Sequence, residues 1–172
     1  MIVPEKLISF RVYQDGNDLL GVADVELPSL EAMTETIKGA GIAGEVDSPV
    51  KGHFSSMETK LNWRVIEKGN TGLAVQNGVH LSLYGAMQYY DTETAEYKAR
   101  AAKCVVRGVP KQTELGKLDV GSTTDTANTI ETTYLKVTVD GETIIEIDKY
   151  NYICNINGTD YLADVREALG LS

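Results

Sequence analysis

The sequence is poor in the residues on which most active sites and metal centres depend. Its 172 residues include two histidines, His53 and His80, and one tryptophan. No HxH, HExxH or paired CxxC spacing occurs, so the sequence predicts no zinc-type site. Neither histidine is placed to activate a serine or cysteine nucleophile. An enzyme is therefore the least favoured class of function, and no cofactor is expected.

The sequence also lacks a secretory leader and any membrane-spanning run. Its first residues have no cationic start followed by a long apolar stretch, and no apolar segment approaches the ~18 residues that a membrane helix needs. The two cysteines, Cys104 and Cys154, both fall in predicted strands without a CxxC partner. We expect two buried free thiols in a reducing compartment, and hence synthesis in the cytoplasm.

Positive charge is scarce. Sixteen Lys and Arg residues face 25 Asp and Glu residues, for a formal net charge of −9. Such a chain repels nucleic acid, although many soluble proteins are mildly acidic without a functional reason. Hydrophobic residues make up 42% of the chain, enough for a packed core. The length suits a single domain spanning residues 1–172.

Most of the chain has the pattern of β-strands. Within 55–66, apolar residues alternate regularly with polar ones. The pairs Asp15-Gly16, Asp140-Gly141 and Asn157-Gly158 are typical of tight hairpin turns. Helical spacing occurs only near the end, over 160–169, and a short helix also fits within 69–77. The sequence predicts a mainly β, antiparallel sandwich or barrel with one or two short α-helices.

Several predicted strands are long and have no consistent polar face. The strand 127–139 carries Ile130 and Tyr134 on one side and Leu135, Val137 and Val139 on the other. Other long strands are predicted at 79–90, 95–109 and 112–118. A strand that is apolar on both sides needs cover on both, and we expect a neighbouring subunit to supply part of it.

One segment matches a nucleotide-binding pattern, since Gly39-Ala40-Gly41-Ile42-Ala43-Gly44 spells GxGxxG. In a dinucleotide site these glycines lead into a helix whose N-terminus receives the pyrophosphate. Here two acids and a proline follow within 45–49, without a helical apolar stripe. The segment is better interpreted as a flexible loop, within an extended element over 39–54.

An ordered series of short motifs resembles a known family. It comprises Asp15-Gly16, Leu27-Pro28-Ser29-Leu30, the glycine loop 39–44, Arg107-Gly108 followed by Lys111, Tyr134 to Gly141, Glu146-Ile147-Asp148, Asn157 to Leu162, Arg166 and Leu169-Gly170-Leu171. Together these resemble the tube proteins of contractile phage tails and R-type bacteriocins over nearly the whole chain. The pattern departs at Ile42, where the family often has Met, and within 67–100.

The resemblance implies a structural protein rather than a catalyst. Subunits would form hexameric rings, with two long hairpins from each subunit building a continuous inner β-barrel, and the rings would stack into a tube. The implied partners are further copies of the chain, a sheath protein, baseplate proteins and a tail terminator. DNA would pass through the lumen without specific binding. The implied location is the virion tail or bacteriocin particle, assembled in the host cytoplasm.

Candidate site residues follow from this interpretation. The loop is expected to make ring-to-ring contacts through Gly39, Ala40, Gly41, Ile42, Gly44 and Asp47. A polar hairpin tip at 119–126 is expected to do the same through Asp119, Gly121 and Asp125. Strand parity places four carboxylates toward the lumen, namely Glu31, Glu35, Glu114 and Glu131.

Two other classes of function remain open at this stage. The first is the secreted ring protein of a contractile secretion system, which would share the fold. The second is a β-barrel module that binds a small ligand or glycan, for which Tyr89-Tyr90 is the one candidate aromatic cluster. The sequence does not separate a phage from a bacteriocin.

Overall fold

Strands account for most of residues 1–171, which are the residues that the computed structural model describes. Only two short helices occur among them, α1 (Lys68–Gly72) and α2 (Ala163–Ala168). In chain order the strands are β1 (Ile2–Gln14), β2 (Asn17–Asp18), β3 (Val22–Glu26), β4 (Ala32–Lys38), β5 (Glu45–Phe54), β6 (Met57–Trp63), β7 (Val79–Asp91), β8 (Glu96–Glu114), β9 (Thr126–Val139), β10 (Glu142–Asp148), β11 (Ile153–Ile156) and β12 (Thr159–Asp160).

One antiparallel sheet holds ten of these strands. Its main path runs β12-β11-β10-β9-β8-β7-β1-β2, while β6 and β3 branch from β9. The remaining pair, β4 and β5, forms a separate two-stranded hairpin. The prediction of a mainly β, antiparallel, sandwich-like fold with short helices is confirmed, and the sheet of a single chain does not close into a barrel.

Strand β9 is where the sheet divides. One of its edges pairs with β8 along most of its length. Its other edge is shared, because 126–132 pair with β6 and 134–139 pair with β10. The β6 branch carries β3 with it and turns over the rest of the sheet, producing two facing layers.

The hydrophobic core lies between these layers. We call β1, β7 and residues 96–107 of β8 the first layer, and β3, β6, residues 108–114 of β8 and the first half of β9 the second layer. The core cluster takes Val12, Leu81, Leu83, Cys104 and Val106 from the first layer and Leu61, Trp63 and Ile130 from the second. Because the inward side chains of both layers meet there, the outer faces of the two layers lie on opposite sides of the core.

Buried polar groups secure the branch point. The amide oxygen of Asn128 in β9 accepts hydrogen bonds from Trp63 Nε1 at 2.9 Å and from Asn70 Nδ2 at 2.6 Å. The amide nitrogen of Asn128 donates to Thr113 Oγ1 at 3.0 Å. Since a buried polar group without a partner is costly, this network favours one register for β6, α1 and β8 around β9.

Local predictions agree with the structure at several points. Asp15, Asp140 and Asn157 all have φ near +50°, and each precedes a glycine that also has positive φ, as tight hairpin turns require. Helix α2 lies within the predicted segment 160–169, whereas α1 begins one residue before the predicted segment 69–77 and covers only its first part. Both cysteines are buried and free, and burial raises the pKa of the Cys104 thiol.

Three details of the sequence prediction are wrong. Residues 45–54 form strand β5, so the glycine-rich loop is confined to 39–44. The predicted strands 95–109 and 112–118 are one strand, β8, which absorbs Pro110 at an irregularity of its pairing. Residues 126–130 of β9 are all buried within a single chain, so no neighbour is needed to cover them.

Gly108 offers a test of this packing. It lies buried in β8 opposite Thr132, and a Cβ there would overlap the backbone oxygen of Glu131. We expect Gly108→Ala to lower the free energy of unfolding by about 3 kcal/mol, because backbone cannot yield as a side chain does. Gly72→Ala is the control, since its Cβ would meet nothing within 4 Å. Urea unfolding measures both, and equal midpoints would contradict the assigned clash.

Candidate assembly surfaces

The β4–β5 hairpin extends the second layer beyond the core. The backbone N–H of Ser55 donates to the carbonyl of Glu31, and Ala32 pairs with Phe54, so the hairpin follows directly from β3 and β6. Its side chains remain largely exposed, including the apolar Met33, Ile37 and Val46. A two-stranded hairpin is marginally stable in water by itself.

The predicted assembly loop is the turn at the end of this hairpin. Gly39, Gly41 and Gly44 have φ values of 129°, 89° and 117°, and a Cβ on any of them would meet nothing within 4 Å. Their backbone conformation, rather than crowding, therefore requires glycine. Ala40 and Asp47 are exposed, and Ile42 is half-buried. Strand β5 follows, so the helix that a dinucleotide site needs is absent from this position, as predicted.

The base of the hairpin is held by the C-terminal helix. Gly52 has φ of +67°, and its Cβ position lies 2.5 Å from the side chain of Leu162, which is 3% exposed. Beside it, Lys51 Nζ contacts Asp164 Oδ2 at 2.6 Å, and this hydrogen bond lowers the pKa of Asp164. Sequence analysis missed this contact. The only signal was a glycine inside an otherwise extended segment.

Helix α2 is itself anchored to the sheet. Arg166 donates to Asp160 Oδ2 at 2.5 Å and to the backbone oxygen of Tyr152 at 2.7 Å. The hydrogen bond from Arg166 is the main cause that lowers the pKa of Asp160. Gly170, with φ of +74°, ends the helix as predicted. The C-terminal segment thus connects the edge of the main sheet to the base of the β4–β5 hairpin.

The second predicted contact element is the loop between β8 and β9. Asp119, Gly121 and Asp125 are all exposed on it, and Gly121 has φ of +82°. Two apolar neighbours that sequence analysis did not single out are even more open to solvent, Leu118 at 87% and Val120 at 103%. Fully exposed apolar side chains at a loop tip are typical of a surface that another chain covers.

Two of the four candidate lumen carboxylates lie on the outer face of the second layer. Glu131 sits directly opposite Glu58 of β6, and Glu114 sits opposite Ala127 at the other end of the same stretch of β9. Lys111 bridges Glu58 at 2.5 Å and Glu131 at 2.9 Å. The charge of Lys149 also acts on Glu131.

The environment of Glu131 favours its charged form. Burial alone would raise its pKa, but hydrogen bonds from Ser56 and Lys111 outweigh burial and leave the pKa below its ordinary value. The pKa of Lys111 is raised in turn, first by Glu58 and then by Glu131. This outer face therefore stays charged at neutral pH.

The other two candidates lie apart from this pair. Glu31 immediately precedes β4 and Glu35 lies within it, and both side chains are exposed. Within one chain the structure therefore brings Glu114 and Glu131 onto one face and leaves Glu31 and Glu35 on the hairpin that continues the same layer.

The two tyrosines predicted as an aromatic cluster, Tyr89 and Tyr90, make separate contacts. Tyr89 lies under the guanidinium of Arg100, whereas Tyr90 packs on Tyr97, so the adjacent tyrosines serve different contacts. Residues 1–171 contain no group of three His, Cys, Asp or Glu side chains that could hold a metal ion. Over the same residues, neither helix is long and apolar enough to cross a membrane.

Comparison with known proteins settles the family. The family model described as phage tail tube protein FII matches residues 4–170. The chain belongs to the phage tail tube protein family. It is 32% identical to the tail tube protein of Escherichia phage P2 over 182 residues, covering 99% of this chain and all of that protein. It is 26% identical to the major tail tube protein of Serratia phage KSP20, covering 99% of each.

Membership of this family establishes the general role of the protein. A tail tube protein is a structural component of the phage tail, and it assembles with other copies into a tube. The prediction of a tail tube protein, made from ordered motifs, is confirmed.

The contact at Gly52 predicts a specific sensitivity of this tail tube protein. We expect Gly52→Ala to lower the free energy of unfolding by about 2 kcal/mol, from backbone strain together with the overlap with Leu162. Gly121→Ala is the matched control, because its φ of +82° is similar but a Cβ there would meet nothing within 4 Å. Urea unfolding and limited proteolysis of the hairpin measure the difference. Equal losses in the two variants would show that the contact with Leu162 does not hold the hairpin.

Proposed function

We propose that the chain forms hexameric rings that stack into the inner tube of a contractile phage tail or phage-tail-like bacteriocin. The tube penetrates the target envelope and conducts DNA or ions, and no catalytic step is involved. The observation that carries the proposal is the family match over nearly the whole chain, joined to an exposed hairpin that continues the second layer.

Stacking would use the hairpin and the β8–β9 loop. Open backbone edges and exposed apolar side chains on β4 and β5 favour pairing with another copy, since unpaired strand edges are ready templates for addition of strands. The glycines at 39–44 allow the turn to adapt to the next ring, and Leu118 and Val120 supply apolar area at a second contact. Each contact joins two different surfaces, so repetition of the contacts closes rings and extends a filament.

The lumen would be lined by the outer face of the second layer and its hairpin. Glu114, Glu131, Glu31 and Glu35 would then present negative charge to the passing cargo. A DNA phosphate backbone does not adhere to such a wall, so the genome can slide. The sheath would surround the tube, with a baseplate and a terminator at its ends, and assembly would take place in the host cytoplasm.

Electron microscopy of the purified protein at high concentration tests the proposal. Hollow tubes or six-fold rings are expected, and sedimentation should show the matching large species. A protein that stays monomeric both alone and when supplied with the baseplate of its own particle would contradict it.

The glycine turn predicts a separation of folding from assembly. We expect a Gly39→Val/Gly41→Val double variant to fold with an unchanged circular dichroism spectrum but to form no tubes, because β-branched residues do not tolerate positive φ. Ala40→Val/Ala43→Val adds bulk to the same turn at residues without positive φ and is the control. Normal tubes from the glycine variant would remove this turn from the stacking contact.

Charge reversal tests the lumen assignment. We expect Glu114→Lys to leave tube length unchanged but to slow DNA exit from intact particles several-fold, because a cation would then face the phosphates. Glu142→Lys, at the exposed start of β10, is the control. The readout is the rate of DNA ejection at two salt concentrations. Identical kinetics for Glu114→Lys and wild type would place this side chain outside the lumen.

A further inference from the structure

An apolar cleft opens at one end of the core, between the two layers. Leu83 and Cys104 of the first layer line its inner part, and Val25 of β3 and Leu27 just after that strand line the opposite side. The cleft has a volume of about 150 Å³. Two of its apolar side chains are open to solvent, Leu7 at 52% and Leu27 at 53%. A recessed apolar surface of this kind is typical of a site that another molecule covers.

The cleft and the β8–β9 loop lie at opposite ends of the subunit. Strand β8 passes the cleft at Cys104 and ends at Glu114, ten residues later (114 − 104), where the loop begins. That is about 30 Å along the strand. Strand β3 has the same polarity, because Val25 lines the cleft whereas Val22 pairs with Trp63 beside the start of β9.

The tip of the β8–β9 loop is an apolar projection. Leu118 is 87% exposed and Val120 is 103% exposed, with Asp119 between them. The nearby cation does not neutralise this acid, since Lys117 pairs with Asp125 instead. The tip therefore presents two apolar side chains that its own chain does not cover.

The tip fits the cleft in size and in charge. An apolar cavity of this volume holds one benzene ring, which is close to the size of a leucine side chain such as that of Leu118. No acidic residue lines the cleft, and Lys103 is the one charged residue along its wall. Asp119 would therefore meet no carboxylate there.

Stacking brings these two ends together. Rings that stack in one direction join unlike ends of their subunits, so the contact is heterologous and repeats along the tube. The β4–β5 hairpin follows Leu27 and leaves from the end that carries the cleft. The next ring then meets this end with the opposite end of its own subunits, which carries the β8–β9 loop.

We propose that the cleft receives the β8–β9 tip of a second copy of this chain in the adjacent ring, with Leu118 in the recess and Val120 on its rim. The inference rests on the proposed function, because it requires stacked rings whose second-layer strands run from one ring towards the next. The hairpin and the cleft then act at the same junction. Each subunit gives one tip and receives another, so subunits add in a single polarity.

The first test removes the apolar tip. We expect Leu118→Ser/Val120→Ser, the tip variant, to raise the protein concentration needed for tube formation at least tenfold in sedimentation, because full burial of one such side chain is worth a factor of about ten. Val65→Ser/Val75→Ser is the control, since it removes two exposed apolar side chains outside the tip and the cleft. Each protein is measured alone and with the baseplate of its own particle. Unchanged urea midpoints exclude unfolding as the cause.

The second test fills the cleft from within. Ala102 lines the cleft, so Ala102→Leu, the filling variant, places a leucine side chain where the tip would enter. Ala101→Leu is the control, because it adds the same side chain at the next residue, which is exposed on the opposite face of β8. We expect only the filling variant to raise the concentration needed for tube formation at least tenfold, with a urea midpoint no lower than that of wild type.

The native thiol of Cys104 allows the contact to be detected directly. Tubes of Leu118→Cys and of Val120→Cys are oxidised by oxygen with a copper catalyst at alkaline pH, because burial raises the pKa of the Cys104 thiol. A disulfide from tip to cleft joins chains in series, so at least one variant should give a ladder of chain multiples on a non-reducing gel. Adding Cys104→Ser should abolish the ladder. Adding Cys154→Ser should leave it, since Cys154 is 1% exposed.

Several results would overturn the inference and leave the proposed function intact. They are tube formation at the wild-type concentration by the tip variant or the filling variant, an equal loss in either control, and tubes of both cysteine variants that give no ladder dependent on Cys104. Absence of tubes from wild type, alone or with its baseplate, would instead overturn the proposed function and this inference together.

Discussion

The divided edge of β9 is the constraint on which the rest of the structure depends. A strand has two edges, and β9 gives one to β8 and splits the other between β6 and β10. The division turns a single sheet into two facing layers. It also requires buried polar groups, because Asn128 must satisfy Trp63, Asn70 and Thr113 at the same place. A shift of one residue in the β6–β9 register would move these side chains to the wrong face and leave several of them unpaired.

The same division explains how one small subunit can present two unlike surfaces. The outer face of the second layer carries Glu58 and Glu131 bridged by Lys111, whereas Arg107 lies over the ring of Tyr134 on another face, with Glu146 beside that ring. The core between the layers keeps the two faces apart. A flat, undivided sheet would offer only one such face once its other side was buried.

Much of this fold was accessible from sequence because it rests on local signals. Turns with Asp-Gly or Asn-Gly, the alternation of Met57, Thr59, Leu61 and Trp63, and the spacing of the last helix each depend on neighbouring residues. The division of one edge of β9 between β6 and β10 was not accessible, because the β6–β9 pairs are far apart in sequence, from 126 − 63 = 63 residues for Trp63 and Thr126 to 132 − 57 = 75 residues for Met57 and Thr132. Likewise β5 was interpreted as loop because glycine and proline interrupt it, and its pairing with β4 prevails over those weak local preferences.

The candidate assembly surfaces were likewise predictable from the sequence only where the signals are local. The turn at 39–44 was predicted because three glycines within these six residues are a local signal in the sequence. The contact between Gly52 and Leu162 was not, because 110 positions separate the two residues and neither has a distinctive neighbour.

That contact has a consequence for the timing of synthesis. Lys51 and Asp164 are 113 residues apart, so the hairpin leaves the ribosome well before the partner of its base. A nascent chain therefore exposes its hairpin before it can anchor it, and the anchored geometry becomes available only to a finished subunit. Truncated products lacking α2 would carry the hairpin without its fixed base. The surface proposed to join rings therefore takes its anchored geometry only after α2 has been synthesised and has docked.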